Sequence, residues 1–212
     1  MVFDRRYYDE QYRDYEAQNP PRKVAFYARL AERAAGGLPR PRVLDVGCAF
    51  GRFLASLGDR WQRFGVDASD YAVQRARAKC PDVSFAVYRD GPFPFPVPFD
   101  VIAAFDVLEH VHNLRDLMKV IASSLAPGGG FIFVVPVYDG LTGPLIRLLD
   151  RDPTHMHKMS RYFWLELGRQ EFQLVEWWGI CRYLLPGGVY MHVVTRRYRR
   201  FTPAIACRLQ RL

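Results

Sequence analysis

Residues 43–51, Val-Leu-Asp-Val-Gly-Cys-Ala-Phe-Gly, carry an apolar, β-branched run straight into a turn punctuated by Gly47 and Gly51. Such a run reads as a buried strand, and the small residues after it let the backbone come close to a ligand or to another segment. Similar short runs recur at 62–67, 83–88, 100–105, 130–136, 172–178 and 189–195, bounded mostly by Gly, Pro or Asp. Helical periodicity fills the earlier gaps. Over 112–125, Leu114, Leu117, Met118, Ile121 and Leu125 make one apolar stripe that ends at Ala-Pro-Gly-Gly. This alternation predicts an α/β chain: seven strands at 42–47 and the six later runs, mostly parallel, with helices on both faces of the sheet.

A chain of 212 residues is long enough for one such domain and short for two. Within a single domain, 1–212, five stretches are distinguishable. Residues 1–36 form an arm and a helix: Tyr7, Tyr8, Tyr12 and Tyr15 lie among alternating charges, with Tyr8, Tyr12 and Tyr15 on one helical face. Asn19-Pro20-Pro21 then opens a helix that Gly36-Gly37 stops. Residues 42–136 form the core, and 137–160 an insertion after the fifth strand, at the sheet edge where open α/β sheets bind ligands. Residues 161–195 carry the last two strands and 196–212 a basic tail. Between the third and fourth strands, Pro92, Pro94, Pro96 and Pro98 exclude helix and central strand, leaving an extended connection.

The net charge of +8 suggests an anionic partner until it is located. Six arginines and no acid lie in 196–212, so the rest of the chain is near neutral. A solvated end and a patch for an anionic surface both fit such a run, the first being the commoner. Cys48, Cys80, Cys181 and Cys207 are scattered without a Cys-x-x-Cys pair, which predicts free thiols. No apolar run approaches the length of a membrane span and no signal-peptide pattern is present, so a cytoplasmic protein is expected.

Chemistry is suggested by acids at the ends of successive strands. Asp45 stands beside the glycine turn, Asp67 ends the second strand and Asp90 follows the third. Asp67 can accept both hydroxyls of a ribose, or cap the next helix, although Ser69 and Asp70 already offer that cap. Asp90 can receive an adenine amine or simply form a turn. A dinucleotide site would want Gly-x-Gly-x-x-Gly at a helix N-terminus facing pyrophosphate. Here the spacing is Gly47-x-x-x-Gly51, with a carboxylate alongside that would repel pyrophosphate and suit a cation.

Residues 45–51 resemble the first motif of class I S-adenosylmethionine-dependent methyltransferases. The segment 99–111, Phe-Asp-Val-Ile-Ala-Ala-Phe-Asp-Val-Leu-Glu-His-Val, resembles their fourth-strand motif, and 125–132, Leu-Ala-Pro-Gly-Gly-Gly-Phe-Ile, the turn into their fifth strand. The resemblance is close over 40–136. It implies a Rossmann-like fold and S-adenosylmethionine as cofactor. Asp45, Gly47, Cys48, Ala49 and Gly51 would then lie at the methionine end, Asp67 and Ala68 at the ribose, Asp90 and Gly91 at the adenine, and Phe105 and Asp106 at the far wall. Ala49 replaces a glycine often found in that loop, which narrows the pocket without closing it.

Transfer of a methyl group from a sulfonium is largely a matter of alignment, although an O or N nucleophile also needs to lose its proton. Histidine suits that task near neutral pH. His110, His112, His155 and His157 are candidates, with His155 first, because the insertion should overhang the site, and His110 second. No metal is expected, since His110-x-His112 and His155-x-His157 match no standard ligand set. The arm resembles those of bacterial methyltransferases for sugars, lipid-linked glycans or natural products, so a small-molecule acceptor is expected. RNA, through the arginine tail, and a catalytically silent scaffold are the alternatives. Trp164, Trp177 and Trp178 are expected in the core.

Overall fold

The computed structural model describes residues 3, 5–11, 15–140, 143–150, 152–185 and 189–212. Tyr12 of the aromatic arm and Arg151 of the insertion lie outside these residues. Two short helices, α1 (Arg5–Gln11) and α2 (Tyr15–Gln18), lead into α3 (Pro21–Ala35). Pro20 occupies the cap position of α3 without a side-chain cap, while Asn19 turns back to donate to the Tyr15 carbonyl at 2.9 Å. Prolines at the helix start need no N–H partner there, and Gly36, at φ +59°, supplies the left-handed stop.

The core then alternates β1 (Arg42–Val46), α4 (Arg52–Ala55), β2 (Gln62–Asp67), α5 (Asp70–Lys79), β3 (Ser84–Val87), β4 (Phe99–Phe105), α6 (Leu114–Ser124) and β5 (Leu125–Pro136). The four prolines of 92–98 lie in a connection that is neither helix nor strand. After β5 come α7 (Gly143–Leu149), α8 (Arg161–Glu171), β6 (Phe172–Leu185), β7 (Val189–Thr195) and β8 (Ala204–Arg211). The sheet order is β3-β2-β1-β4-β5-β8-β6-β7. From β3 to β5 every pairing is parallel, whereas β8 is antiparallel to both β5 and β6, and β7 to β6.

Among the described residues eight strands therefore replace the seven expected. The missed one is β8, inside the stretch read as a basic tail, where Ala204, Ile205, Ala206, Cys207 and Leu209 are buried. Several arginines of that stretch make contacts within the chain. Arg208 and Arg196 pair with Glu176, and Arg199 lies 4.0 Å over the Trp177 ring. Two further boundaries move. The β5 ladder starts at Leu125 with an irregular register rather than at residue 130, and β6 runs to Leu185 rather than to 178.

Alternation along the strands decides what each face buries. Val43, Val101, Ala103, Ile132 and Val134 face one side, where Phe26, Tyr27 and Leu30 of α3, Phe53 of α4 and Val73 of α5 cover them. Leu44, Val46, Ile102, Ala104, Phe131 and Phe133 face the other, under Leu117, Met118 and Ile121 of α6 and Trp164 of α8. Trp178 joins the first core and Trp177 packs at the edge of the second. All four cysteines are free thiols. Among the described residues no helix is long and apolar enough to cross a membrane.

Candidate active site

The chain leaves β1 toward β2 and β3 on one side, and continues from β4 to β5 on the other. The direction of winding therefore reverses between β1 and β4, and a crevice opens at their carboxyl ends. A cavity of about 1120 Å³ occupies it. At its floor, the turn after β1 folds back on β2, with the Gly47 and Cys48 N–H groups donating to the Val66 carbonyl at 2.8 and 3.0 Å. Gly47 is obligatory there, because at φ +75° a Cβ would lie 2.2 Å from a methyl of Val107. Ala49 is also left-handed, at φ +45°, which costs an alanine about 1–2 kcal/mol that glycine avoids.

Asp67 holds this turn in place. One carboxylate oxygen accepts from the Ala49 N–H and the other from the Ser69 N–H, both at 2.9 Å, while the Ser69 hydroxyl caps α5. Asp45 sits beside it, and both are buried. Neither forms an ion pair among the described residues. Burial, and then the charge of Asp67, push the Asp45 carboxyl well above its ordinary range; burial raises Asp67 as well, with the two loop N–H groups offsetting part of the shift. Two buried acids lining the cavity, neither held in an ion pair, make that end of the site complementary to positive charge.

Of the residues read from the sequence, Asp45, Gly47, Cys48, Ala49, Asp67, Ala68, Asp90, Gly91, Phe105, Asp106 and His110 all line this one cavity. Gly51 and His155 do not. Gly51 instead opens α4 at φ +76°, and His155 stands behind His110, their ring centroids 4.7 Å apart. Phe105 stacks on Tyr27 at 3.9 Å. The carboxylate of Asp106 is engaged by two cations. Arg182 Nη1 donates to Oδ2 at 2.6 Å, Nη2 lies 2.6 Å from Oδ1, and Lys23 Nζ lies 3.5 Å from Oδ2. Lys23 and Arg182 carried no sequence signal, because they meet Asp106 only through the fold.

Over the other end, arm and insertion meet. The Tyr7 hydroxyl lies 3.3 Å from Asp152 Oδ2 and 3.4 Å from Thr154 Oγ1, and Phe3 packs edge-on against His110. The insertion is pinned beneath by the Met156 and His157 N–H groups, which donate to the Glu109 carbonyl at 3.0 and 3.1 Å. These contacts fix the histidine tautomers. His110 Nδ1 lies 3.2 Å from the Thr154 carbonyl and His155 Nδ1 lies 2.8 Å from Asp150 Oδ2, and neither acceptor can donate. The Thr154 and Tyr138 hydroxyls also reach these nitrogens, at 2.8 and 3.1 Å, but each donates its proton to a carboxylate at 2.6 Å, so both Nδ1 atoms carry the proton and each Nε2 keeps a lone pair in the neutral rings. Burial, and then His155, push His110 below the usual histidine range. His112 lines the cavity, while His157 bonds the Val111 carbonyl through Nε2 at 2.8 Å and packs against Trp164, a structural placement.

A family model for a methyltransferase domain matches residues 10–195. The chain belongs to that family. Over 112 residues it is 30% identical to the ubiquinone biosynthesis O-methyltransferase of Idiomarina loihiensis, covering 48% of this chain and 45% of that one. It is 32% identical over 106 residues to the trans-aconitate 2-methyltransferase of Rhodopseudomonas palustris, covering 49% and 41%. The chain thus spans less than half the length of these curated relatives. In fold it resembles the N-methyltransferase NodS of Bradyrhizobium japonicum, solved with S-adenosyl-L-homocysteine (TM-score 0.62, 16% identity, 91% of this chain and 89% of that one). S-adenosylmethionine is the cofactor of this methyltransferase-domain chain. The residues present fit it, since Asp45 and Asp67, in no ion pair among the described residues, line the cavity where a sulfonium and an ammonium would find counter-charge.

Proposed function

We propose that the protein transfers a methyl group from S-adenosylmethionine to an oxygen or nitrogen of a small molecule. The observation that carries this reading is a single cavity joining an acidic end, Asp45 and Asp67, to an aromatic, histidine-bearing end, Phe3, Tyr7 and His110. Ligand pockets commonly run to about 300–1,000 Å³, so this one has room for a cofactor and a small acceptor together. Bound cofactor supplies a methyl on a sulfonium, with a neutral thioether as leaving group. The chain's own residues supply alignment. Asp67 receives the ribose hydroxyls on lone pairs left over from the loop N–H groups, Asp90 and Gly91 border the adenine, and Phe105 closes the wall. The acceptor sits at His110, where the nucleophile is activated, with His155 positioned behind it by Asp150 and the 137–160 insertion acting as the lid. The two curated relatives, named for ubiquinone biosynthesis and for trans-aconitate, support a small acceptor. Internal pairing of tail arginines weighs against RNA.

The test is a screen of purified protein for S-adenosylhomocysteine release across phenols, carboxylic acids, sugar nucleotides, amines and RNA. Turnover with a small molecule is expected. Turnover with RNA alone, binding it with a steep salt dependence, would replace this reading, and absence of cofactor binding in calorimetry would leave only a scaffold. Asp67→Ala should weaken cofactor binding roughly 10–100-fold, as hydrogen bonds to a charged group contribute about 1.5–3 kcal/mol. An unchanged Kd in a variant that still melts cooperatively would refute the ribose role.

Asp45 yields a pH dependence. Its folded pKa is raised, so the stability tied to it is complete below the unfolded value of about 3.9 and is lost as pH rises through the folded value. A cationic ligand favours the ionised form. The rise in Tm produced by S-adenosylmethionine should therefore grow as pH rises above the ordinary carboxylate range, and Asp45→Asn should flatten that growth. Parallel curves for the two proteins would show that Asp45 does not sense the cofactor's charge.

A further inference from the structure

We propose that Glu109, His110 and His155 form a binding site for a first-row divalent transition ion at the acceptor end of the cavity. Each of the three brings a ligand atom within 4.8 Å of the other two. The set bridges two distant segments, and neither His-x-His pair in the sequence describes it. What assembles it is the docking of the insertion on the turn after β4, through the N–H groups of Met156 and His157 on the Glu109 carbonyl.

Three further observations point to a ligand. Glu109 is 1% exposed, yet its Oε2 has no hydrogen-bond partner among the described residues, an arrangement that costs about 1–3 kcal/mol or more unless something occupies it. With both Nδ1 protons committed, to the Thr154 carbonyl and to Asp150, Nε2 is the atom each neutral ring has left to offer an ion, that of His155 lying 3.9 Å from Asp152 Oδ2. An imidazole whose other nitrogen donates to a carboxylate is the usual support for a metal-bound histidine, and here Asp150 is itself fixed by the Tyr138 hydroxyl at 2.6 Å and Lys158 at 2.9 Å.

The donor set also selects the ion. Two imidazoles and one carboxylate suit Zn²⁺, Co²⁺, Mn²⁺ or Fe²⁺ and disfavour Mg²⁺ and Ca²⁺, which prefer all-oxygen shells. Three protein ligands leave positions open, and His110 borders the cavity, so an acceptor oxygen can complete the shell. The ion would hold and polarise that oxygen in line with the methyl donor. This inference rests on the acceptor sitting at His110, and not on which atom takes its proton.

The experiment uses untagged full-length protein, stripped with a chelator and saturated with S-adenosylhomocysteine. It is titrated with CoCl₂ by visible absorption and with ZnCl₂ by calorimetry. One ion per chain is expected, undisplaced by excess Mg²⁺. Glu109→Gln and His155→Ala should each weaken binding about tenfold or more, and Asp150→Asn, which keeps all three ligands, by about 10–100-fold, with cofactor binding retained as evidence of folding. Absence of stoichiometric binding, or equal affinity in His155→Ala, overturns the site. If His110→Ala abolishes turnover while no ion binds, the metal site falls and the proposed methyl transfer stands. Failure to bind cofactor would instead remove the methyl-transfer reading.

Discussion

Removing residues 203–212 is expected to leave a chain that does not fold. The segment holds β8, the strand that joins the parallel core to the β6–β7 hairpin, and it is hydrogen-bonded along its length to β5 on one side and β6 on the other. Without it the hairpin has no attachment to the sheet, and β5 becomes an unpaired edge bearing Phe131, Phe133 and Val135. Ile205 and Leu209 alone contribute about 1.5–3 kcal/mol each through burial, before the two ladders are considered. Against a total stability of about 5–15 kcal/mol, that loss is decisive. Circular dichroism should show no cooperative thermal transition. A truncated chain that melts cooperatively within a few degrees of the full protein would refute the account. Replacing Arg197 and Arg200, both exposed, by serine should leave stability within about 0.5 kcal/mol, which separates the strand from the charge around it.

That contrast shows why β8 was hard to read. Arginines at 196–200 dominate the composition of the segment and draw the eye to charge, while the alternation that matters is short. Ile205, Cys207 and Leu209 face one core, and Arg208 between them reaches sideways to Glu176. Where local signals agree, the sequence was readable. Prolines at the start of α3 and Gly36 at its end, the apolar stripe of α6, and β-branched runs closed by Asp45 and Asp67 each predict an element that is present. The acidic end of the cavity was legible for the same reason, because each acid ends its own strand. The histidine end was legible only as a list of candidates. Depth decides between His110, at the cavity wall, and His155 behind it, and depth depends on how a 24-residue insertion docks on a turn far away in the chain. Clusters whose members meet only through tertiary packing leave no local pattern.

The cluster around Asp106 is the clearest such case, and Asp106→Asn is expected to lower stability by about 3 kcal/mol. Burial pushes this carboxyl up, but Arg182, and then Lys23, more than reverse the effect and hold it well below the ordinary range. Its folded pKa is thus depressed, so the stabilisation is complete above the unfolded value of about 3.9 and is lost only in strong acid. Asparagine keeps the shape and tolerates the left-handed backbone at φ +58°, but it removes the charge and turns one of the two oxygens that accept from Arg182 into a donor. Two cations then share a site with no carboxylate bonded to them. Breaking a buried pair in this way costs about 3–5 kcal/mol, and the low end applies because the carboxylate keeps some exposure to the cavity, 22% of its side-chain surface. For a chain of this size the Tm should fall by roughly 6–12 °C. The decisive measurement is a double-mutant cycle with Arg182→Met. If stranded charge is the cause, Asp106→Asn with Arg182→Met should recover at least about 1 kcal/mol over Asp106→Asn alone, since removing both partners of a buried pair costs far less than removing one. Additive losses would mean that the pair contributes only packing, and that Asp106 is held in the cavity wall by its backbone rather than by its charge.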